Sequence, residues 1–272
     1  MEKKPRKTVG LALGSGGGRG IAHVGVIKAL VRNNIPIDYI AGTSIGAWAG
    51  TFYGIHQDIA ALEKTTLGYK KDKFLAMFEP SRKGVIKGKK MERLLHQWLG
   101  DVRFEDLKIP VTVVTTDLVT GLEVDISTGP VVPAVRASMS IPVVVEPLKY
   151  DGKVLVDGGL INPLPDDVVR KMGADIVIAV NLDKYVTAEE LTDENISLSA
   201  IALRSSHIIR HYLAEYSHND TDILIEPEIK GVGMQLWKKF FTDSNIVSLV
   251  DIGEKATEQY IPQIKGMFNI DK

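Results

Sequence analysis

The 272-residue chain contains no cysteine. This excludes disulfides, thiolate nucleophiles and cysteine metal sites, and leaves no mark of an oxidising compartment. It also lacks an excess of either charge. Thirty-three Lys and Arg stand against 34 Asp and Glu, a formal net charge of −1, which argues against a general nucleic-acid binder. A convincing membrane span is missing as well. The 19 residues from Tyr39 to Gln57 carry no charge, and Gly46, Gly50 and Gly54 recur every four, a spacing that in lipid would mark a helix dimer. Yet Gly42, Thr43, Ser44, Thr51, His56 and Gln57 make the stretch polar, and Asp38 and Asp58 stand where basic anchors would be needed. A helix whose glycine stripe is pressed onto a sheet explains the pattern better. The start is basic (Lys3, Lys4, Arg6, Lys7), but Val9–Leu13 is too short and glycine-interrupted for a signal peptide. The expectation is a cytoplasmic protein, at most peripheral at a membrane.

What is present is ordinary for a folded chain: 44% hydrophobic and 25% charged residues. A chain of this length buries roughly 75% of its unfolded surface in one large core, and no repeat or low-complexity linker divides it. One domain over residues 1–272 is expected, with its motifs between about 8 and 181 and a helical region over about 196–272. Short β-rich runs alternate with helical patterns, the mark of a mainly parallel sheet covered on both faces. Thr8–Leu13, Ile37–Ala41, Val111–Thr116, Glu123–Ser127, Val154–Val156, Asp175–Val180 and Asp222–Ile225 read as strands, the third and fourth as a hairpin about Gly121. Gly20–Asn33, Ser44–Ile55, Ile196–Tyr216 and Val247–Lys265 read as helices.

Two glycine-rich turns stand between strand and helix. Gly14-Ser15-Gly16-Gly17-Gly18-Arg19-Gly20 exposes backbone N–H groups at a helix start, where negative charge is stabilised. It lacks the Gly-Lys-Ser/Thr ending of a Walker phosphate loop and fits no register of the dinucleotide fingerprint, so nucleotide binding is disfavoured. An oxyanion hole and a plain structural turn both remain open for it. Gly42-Thr43-Ser44-Ile45-Gly46 fits a nucleophile elbow, with Ser44 on a tight turn at the sheet's edge. Composition alone predicts about 0.1 such patterns by chance, so the placement carries more weight than the pattern.

A serine nucleophile needs a base. In hydrolase chain order, Ser44 and Asp157 would be served by His207, His211 or His218. His207 and His211 instead share a helix face with Arg204, which reads as a polar or inter-helix surface, and His23 reads as packing the helix after the glycine loop. Asp157 is the better base: Val154-Leu155-Val156 delivers it into Gly158-Gly159, where α/β sheets place ligands. A free aspartate with a pKa near ~3.9 is a weak base, so close placement and desolvation have to assist it.

Four motifs occur in order: Leu11 to Gly20, the Ser44 elbow, Arg136-Ala137-Ser138-Met139-Ser140-Ile141-Pro142, and Asp157-Gly158-Gly159 with Asn162-Pro163-Leu164-Pro165. Together they resemble the patatin-like phospholipase family, in the bacterial branch similar to the neuropathy target esterase catalytic domain. The resemblance covers about Thr8 to Asn181. It implies a three-layer α/β/α sandwich with a mainly parallel central sheet, and a Ser-Asp dyad without histidine. Ser44 is then the nucleophile and Asp157 the base, with the amides of Gly16, Gly17, Gly18 and Arg19 forming the oxyanion hole. Gly42, Gly46, Gly158 and Gly159 support the turns. Ser15 stands where the family often has glycine, so it is expected to hold the turn without glycine's freedom at positive φ. The activity implied is hydrolysis of lipid carboxylic esters through an acyl-enzyme, with no metal or other cofactor. The alternative is a non-catalytic lipid- or acyl-binding regulator that retains the fold.

Residues 64–93 hold ten basic and three acidic side chains, interleaved with Phe74, Leu75, Met77, Phe78 and Val85. They are expected to form a flap touching anionic headgroups. Met234 to Phe241, with Trp237, combines apolar anchors and lysines, and is read as packing on the core.

Overall fold

The computed structural model describes residues 6–68, 87–184, 196–229 and 246–268. Its centre is an eight-stranded sheet in the order β5-β6-β3-β2-β1-β7-β8, with β4 paired to β3 alone. The strands are β1 (Val9–Leu13), β2 (Tyr39–Thr43), β3 (Val111–Asp117), β4 (Glu123–Ile126), β5 (Leu148–Tyr150), β6 (Lys153–Asp157), β7 (Ile176–Val180) and β8 (Ile223–Ile225). Pairing is parallel from β3 through β2, β1 and β7 to β8, and antiparallel among β3, β4, β5 and β6. The sheet is therefore mixed and mostly parallel.

Period-two alternation sorts the side chains between two helical layers. Val9, Leu11 and Leu13 of β1, and Ile176, Ile178 and Val180 of β7, enter the large core. Ala12, Val177 and Ala179 point to the other face. The large core is closed by α1 (Ile21–Arg32), α2 (Ile45–His56), α3 (Ile59–Leu67), α4 (Lys89–Leu99) and α5 (Val131–Ser138). The small-residue face is covered by α6 (Asp166–Lys171), through Val168 and Val169, and by α7 (Leu198–Ser217), through Ala214. Two further helices, α8 (Ile246–Glu258) and α9 (Ile261–Phe268), join the first layer.

The glycine stripe of α2 does press on the sheet. Added Cβ atoms would lie 2.1 Å from Leu13 O at Gly46, 2.6 Å from Ile40 Cγ2 at Gly50 and 2.6 Å from Val111 Cγ2 at Gly54. Among the described residues no helix is long and apolar enough to cross a membrane.

Three sequence readings need correction. The segment read as one helix over Val247–Lys265 is broken after Glu258 and restarts at Ile261. Pro262 has no N–H to donate to the preceding turn, whereas the first turn of a new helix tolerates it. Strand β5, only three residues long, has no counterpart among the strands read from the sequence. The second strand begins at Tyr39 and runs to Thr43, so it leads directly into Ser44. Most of the basic segment 64–93, namely 69–86, lies outside the described residues, as does Met234 to Phe241.

Candidate active site

β3 brings the elbow and the aspartate together. Thr43 of β2 pairs with Val114, and Asp157 of β6 pairs with the next residue, Thr115. Because β4 overlaps both partners on the opposite edge, β2 and β6 meet end to end along one edge of β3. Their last residues converge: Ser44 Oγ donates to Asp157 Oδ2 at 2.6 Å. Ser44 and Asp157 are 4% and 3% exposed, so the pair is almost dry.

The elbow is strained. Ser44 adopts φ 58° and ψ −120°, a region that costs a non-glycine residue about 1–3 kcal/mol. Its N–H donates to Ser138 Oγ at 2.7 Å, and Ser138 Oγ donates on to Val114 O at 2.7 Å. The Arg136–Pro142 motif thereby acquires a structural purpose. Ser138 anchors the nucleophile turn, while Ser140 O accepts the Asp157 N–H at 3.0 Å. Buried Arg136 braces that loop through Ser140 Oγ and through Glu146 O at 2.9 Å. On the aspartate itself, Oδ1 accepts the Gly159 N–H at 2.8 Å. Burial pushes the Asp157 carboxyl above its ordinary range, although the Ser44 hydrogen bond and the nearby Arg210 charge act against it. A carboxylate so desolvated is a better proton acceptor than a surface one.

The glycine loop lies beside the elbow and the Asp157 turn: a Cβ at Gly46 would lie 2.7 Å from Gly14 O, and one at Gly159 would lie 3.4 Å from Ser15 Cβ. After Gly16 the chain enters a 3-10 turn over Gly17–Gly20. The positive φ falls on Gly17, at 55°, and Ser15 is not among the positive-φ residues. Ser15 therefore holds the turn without needing glycine's freedom at positive φ. Its N–H donates to Pro163 O at 2.8 Å and its hydroxyl to Asp183 Oδ2 at 2.8 Å. Within the turn the Arg19 N–H donates to Gly16 O at 3.2 Å. The first N–H groups of a helical turn have no partner inside it, and here those belong to Gly17 and Gly18. The Asn162–Pro165 motif closes the frame, because Asn162 O accepts Thr43 Oγ1 at 2.9 Å.

His207, on α7, lies near Arg210 and Asp183, where burial and the Arg210 charge push its imidazole down to about 3; the other candidate histidines are engaged by backbone carbonyls. His23 is fully buried and its Nε2 donates to Gly14 O at 2.8 Å, so it packs the glycine loop. His211 Nδ1 contacts Asp183 O at 2.8 Å, and His218 Nδ1 contacts Ala214 O at 3.0 Å. The group hydrogen-bonded to Ser44 Oγ is a carboxylate. Asp183 and Arg210 escaped the sequence reading altogether. Asp183 lies three residues beyond the end of β7, and its carboxylate gathers Ser15, Arg19 and Arg210 behind the loop. Among the described residues no group of three or more His, Asp or Glu could hold a metal ion.

Fold and elbow together define a class: a three-layer α/β/α protein with a serine on a strained strand-to-helix turn, held against a buried carboxylate. Within it, the chain belongs to the patatin-like phospholipase family, whose family model matches residues 11–169. An uncharacterized NTE family protein of Mycobacterium tuberculosis is 40% identical over 182 residues, 64% of this chain and 49% of that protein. The neuropathy target esterase sws of Drosophila melanogaster is 34% identical over 182 residues, 64% of this chain and 13% of that protein. The chain thus spans about half the length, or less, of these relatives. The fold is shared with VipD from Legionella pneumophila, with a TM-score of 0.55 at 14% identity over 96% of this chain and 67% of that one.

Proposed function

We propose that this chain is a serine acyl hydrolase that cleaves lipid carboxylic esters through a Ser44–Asp157 dyad and an acyl-enzyme. The observation that carries this reading is the 2.6 Å hydrogen bond from Ser44 Oγ to Asp157 Oδ2 at a strained elbow. Family membership and the esterase name of a relative support the choice of an ester substrate.

In this mechanism Asp157 takes the hydroxyl proton as Ser44 Oγ bonds to the ester carbonyl carbon, and the carbonyl π pair moves onto oxygen. The Gly17 and Gly18 N–H groups receive that oxyanion, while the Arg19 N–H is already engaged by Gly16 O. Removing one such donor typically costs about 10²–10³ in kcat. Collapse of the tetrahedral intermediate breaks the ester C–O bond, and Asp157 returns its proton to the leaving alcohol. Water then attacks the acyl-serine with Asp157 again as base, releasing the acid and restoring Ser44. The strain at Ser44 holds its oxygen clear of the helix it starts.

The test is labelling with a fluorophosphonate and turnover of p-nitrophenyl esters, on wild type, Ser44→Ala and Asp157→Asn. Labelling at Ser44 in wild type that is lost in both variants, with turnover reduced at least about 10³-fold, is the expected result. A folded wild type that takes no label and hydrolyses no ester would favour a lipid-binding protein that retains the fold.

A further inference from the structure

Arg210 lies on α7, beyond the span matched by the family model, and is buried. Its Nε and Nη2 grip the two oxygens of Asp183 at 2.8 and 2.7 Å. The same carboxylate accepts Ser15 Oγ at 2.8 Å and the Arg19 guanidinium. Toward the aspartate turn, the Arg210 methylenes lie on Gly159. A Cβ there would sit 2.8 Å from Arg210 Cδ, 3.1 Å from Asp157 Oδ1 and 3.4 Å from Ser15 Cβ. One side chain therefore reaches both halves of the site, the glycine loop through Asp183 and the Asp157 turn directly.

We propose that Arg210 is a positioning residue for acyl transfer, bracing the glycine loop against the Asp157 turn and balancing the negative charge that forms on the substrate oxygen. This rests on the Ser44–Asp157 reading above. Four buried charges meet here, two positive (Arg19, Arg210) and two negative (Asp157, Asp183). The His207 imidazole facing them from α7 is held neutral, because burial and Arg210 push it down to about 3. Burial opposes ionisation of Asp183, but Arg210 and Arg19 outweigh it and hold that carboxyl well below its ordinary range. When Ser44 gives its proton to Asp157, the cluster loses one negative charge just as one appears on the carbonyl oxygen. The arginine pair, now only half balanced by Asp183, then faces the oxyanion across the loop that carries Arg19. Charge is conserved within the site, and fixed charges stabilise the new one without reorganisation. Burial raises the Asp157 carboxyl, Arg210 pulls it down and Asp183 pushes it up, so the two partners leave opposite signatures.

The test follows kcat and KM for a p-nitrophenyl ester against pH, per active site titrated with a fluorophosphonate. It compares wild type, Arg210→Gln, Arg210→Lys and Asp183→Asn. Arg210→Gln should lower kcat about 10- to 100-fold with KM little changed, and should move the acid limb of the profile to higher pH. Asp183→Asn should move that limb to lower pH. Arg210→Lys keeps the charge and loses the fork, so the limb should stay in place and part of kcat should return. A loosened fold does not displace the limb in opposite directions, and titration counts only competent sites. Should Arg210→Gln yield no competent sites, Asp183→Asn and Arg210→Lys carry the same comparison. Wild-type limbs and kcat in the charge-changing variants overturn the proposal. A wild type that neither labels at Ser44 nor needs it for turnover overturns the acyl-transfer reading, and the proposal with it.

Discussion

Ser44 holds a backbone conformation that glycine adopts freely and serine does not, at φ 58° and ψ −120°. What holds it there is local: the Ser138 hydroxyl on its N–H, and a helix start that cannot retreat because Gly46 already touches Leu13 O. Both Ser44→Ala and Ser44→Gly remove the hydroxyl, but only the second releases the strain. Ser44→Gly is therefore expected to be more stable than Ser44→Ala by about 1–2 kcal/mol, after glycine's extra unfolded-state entropy is set against the relief. Urea midpoints measure this without any assay of activity, and equal midpoints would show that the elbow stores nothing. Ser44 and Asp157 are legible in the sequence because each is dictated within a few residues, by an apolar strand running into a small-residue turn. Asp183 and Arg210 are not. Their meaning lies in a contact across 27 residues of chain, and a helix face with Arg204, His207 and His211 reads as a polar or inter-helix surface. One signal was available: Arg210 falls on the same face as Ala214, which is buried, one turn further on.

At the scale of elements, the α1–α8 crossing shows how closely two helices approach when each offers a glycine. A Cβ at Gly25 would lie 1.9 Å from Val250 O, and one at Gly253 would lie 2.1 Å from Ala22 O. Both obstacles are backbone, so no side chain can swing aside. Ion pairs flank the contact, Arg32 with Glu254 and Glu258, but Arg32 is exposed and water screens such pairs, so they add little. Gly25→Ala gains about 1 kcal/mol of helix propensity and forces the helices apart, an overpacking cost of about 1–3 kcal/mol or more. The net expectation is destabilisation. Gly266→Ala on α9, where a Cβ meets nothing within 4 Å, should instead stabilise by up to about 1 kcal/mol. Thermal or urea unfolding of the two variants should move in opposite directions, and a shared direction would refute the steric account. The strand and helix alternation around this contact is readable from hydrophobic period alone. The break before α9 is readable too, from Pro262, but a continuous apolar pattern on either side obscures it. Strand β5 is not readable, because three residues give no period.

For the molecule as a whole, the interior is built around groups whose charge depends on pH, and His23 gives the clearest case. It is fully buried, its Nε2 donates to Gly14 O at 2.8 Å, and its Nδ1 has no partner among the described residues. A second proton would thus bury both a charge and an unpaired N–H. Burial accordingly pushes the His23 imidazole down to about 4, from 6.5 for a free histidine. With the folded value below the unfolded one, the unfolded chain binds more protons between those limits. Stability from this residue is fully present above about pH 6.5 and is lost as pH falls toward 4, about 3 kcal/mol in all and about 2 kcal/mol of it by pH 5. Glu123 works the other way. Burial and the neighbouring Asp125 push its carboxyl up to about 7, so it favours the folded state as pH falls. The wild-type curve is a sum of opposed slopes, and only a difference isolates His23. In His23→Gln the amide nitrogen replaces Nε2 as donor to Gly14 O, and nothing titrates. The stability gap between wild type and His23→Gln should therefore shift by about 2 kcal/mol against wild type between pH 7 and pH 5, read from urea unfolding at both. A gap that stays constant would mean that His23 is already charged in the folded protein, or that the glycine loop opens to water before it titrates.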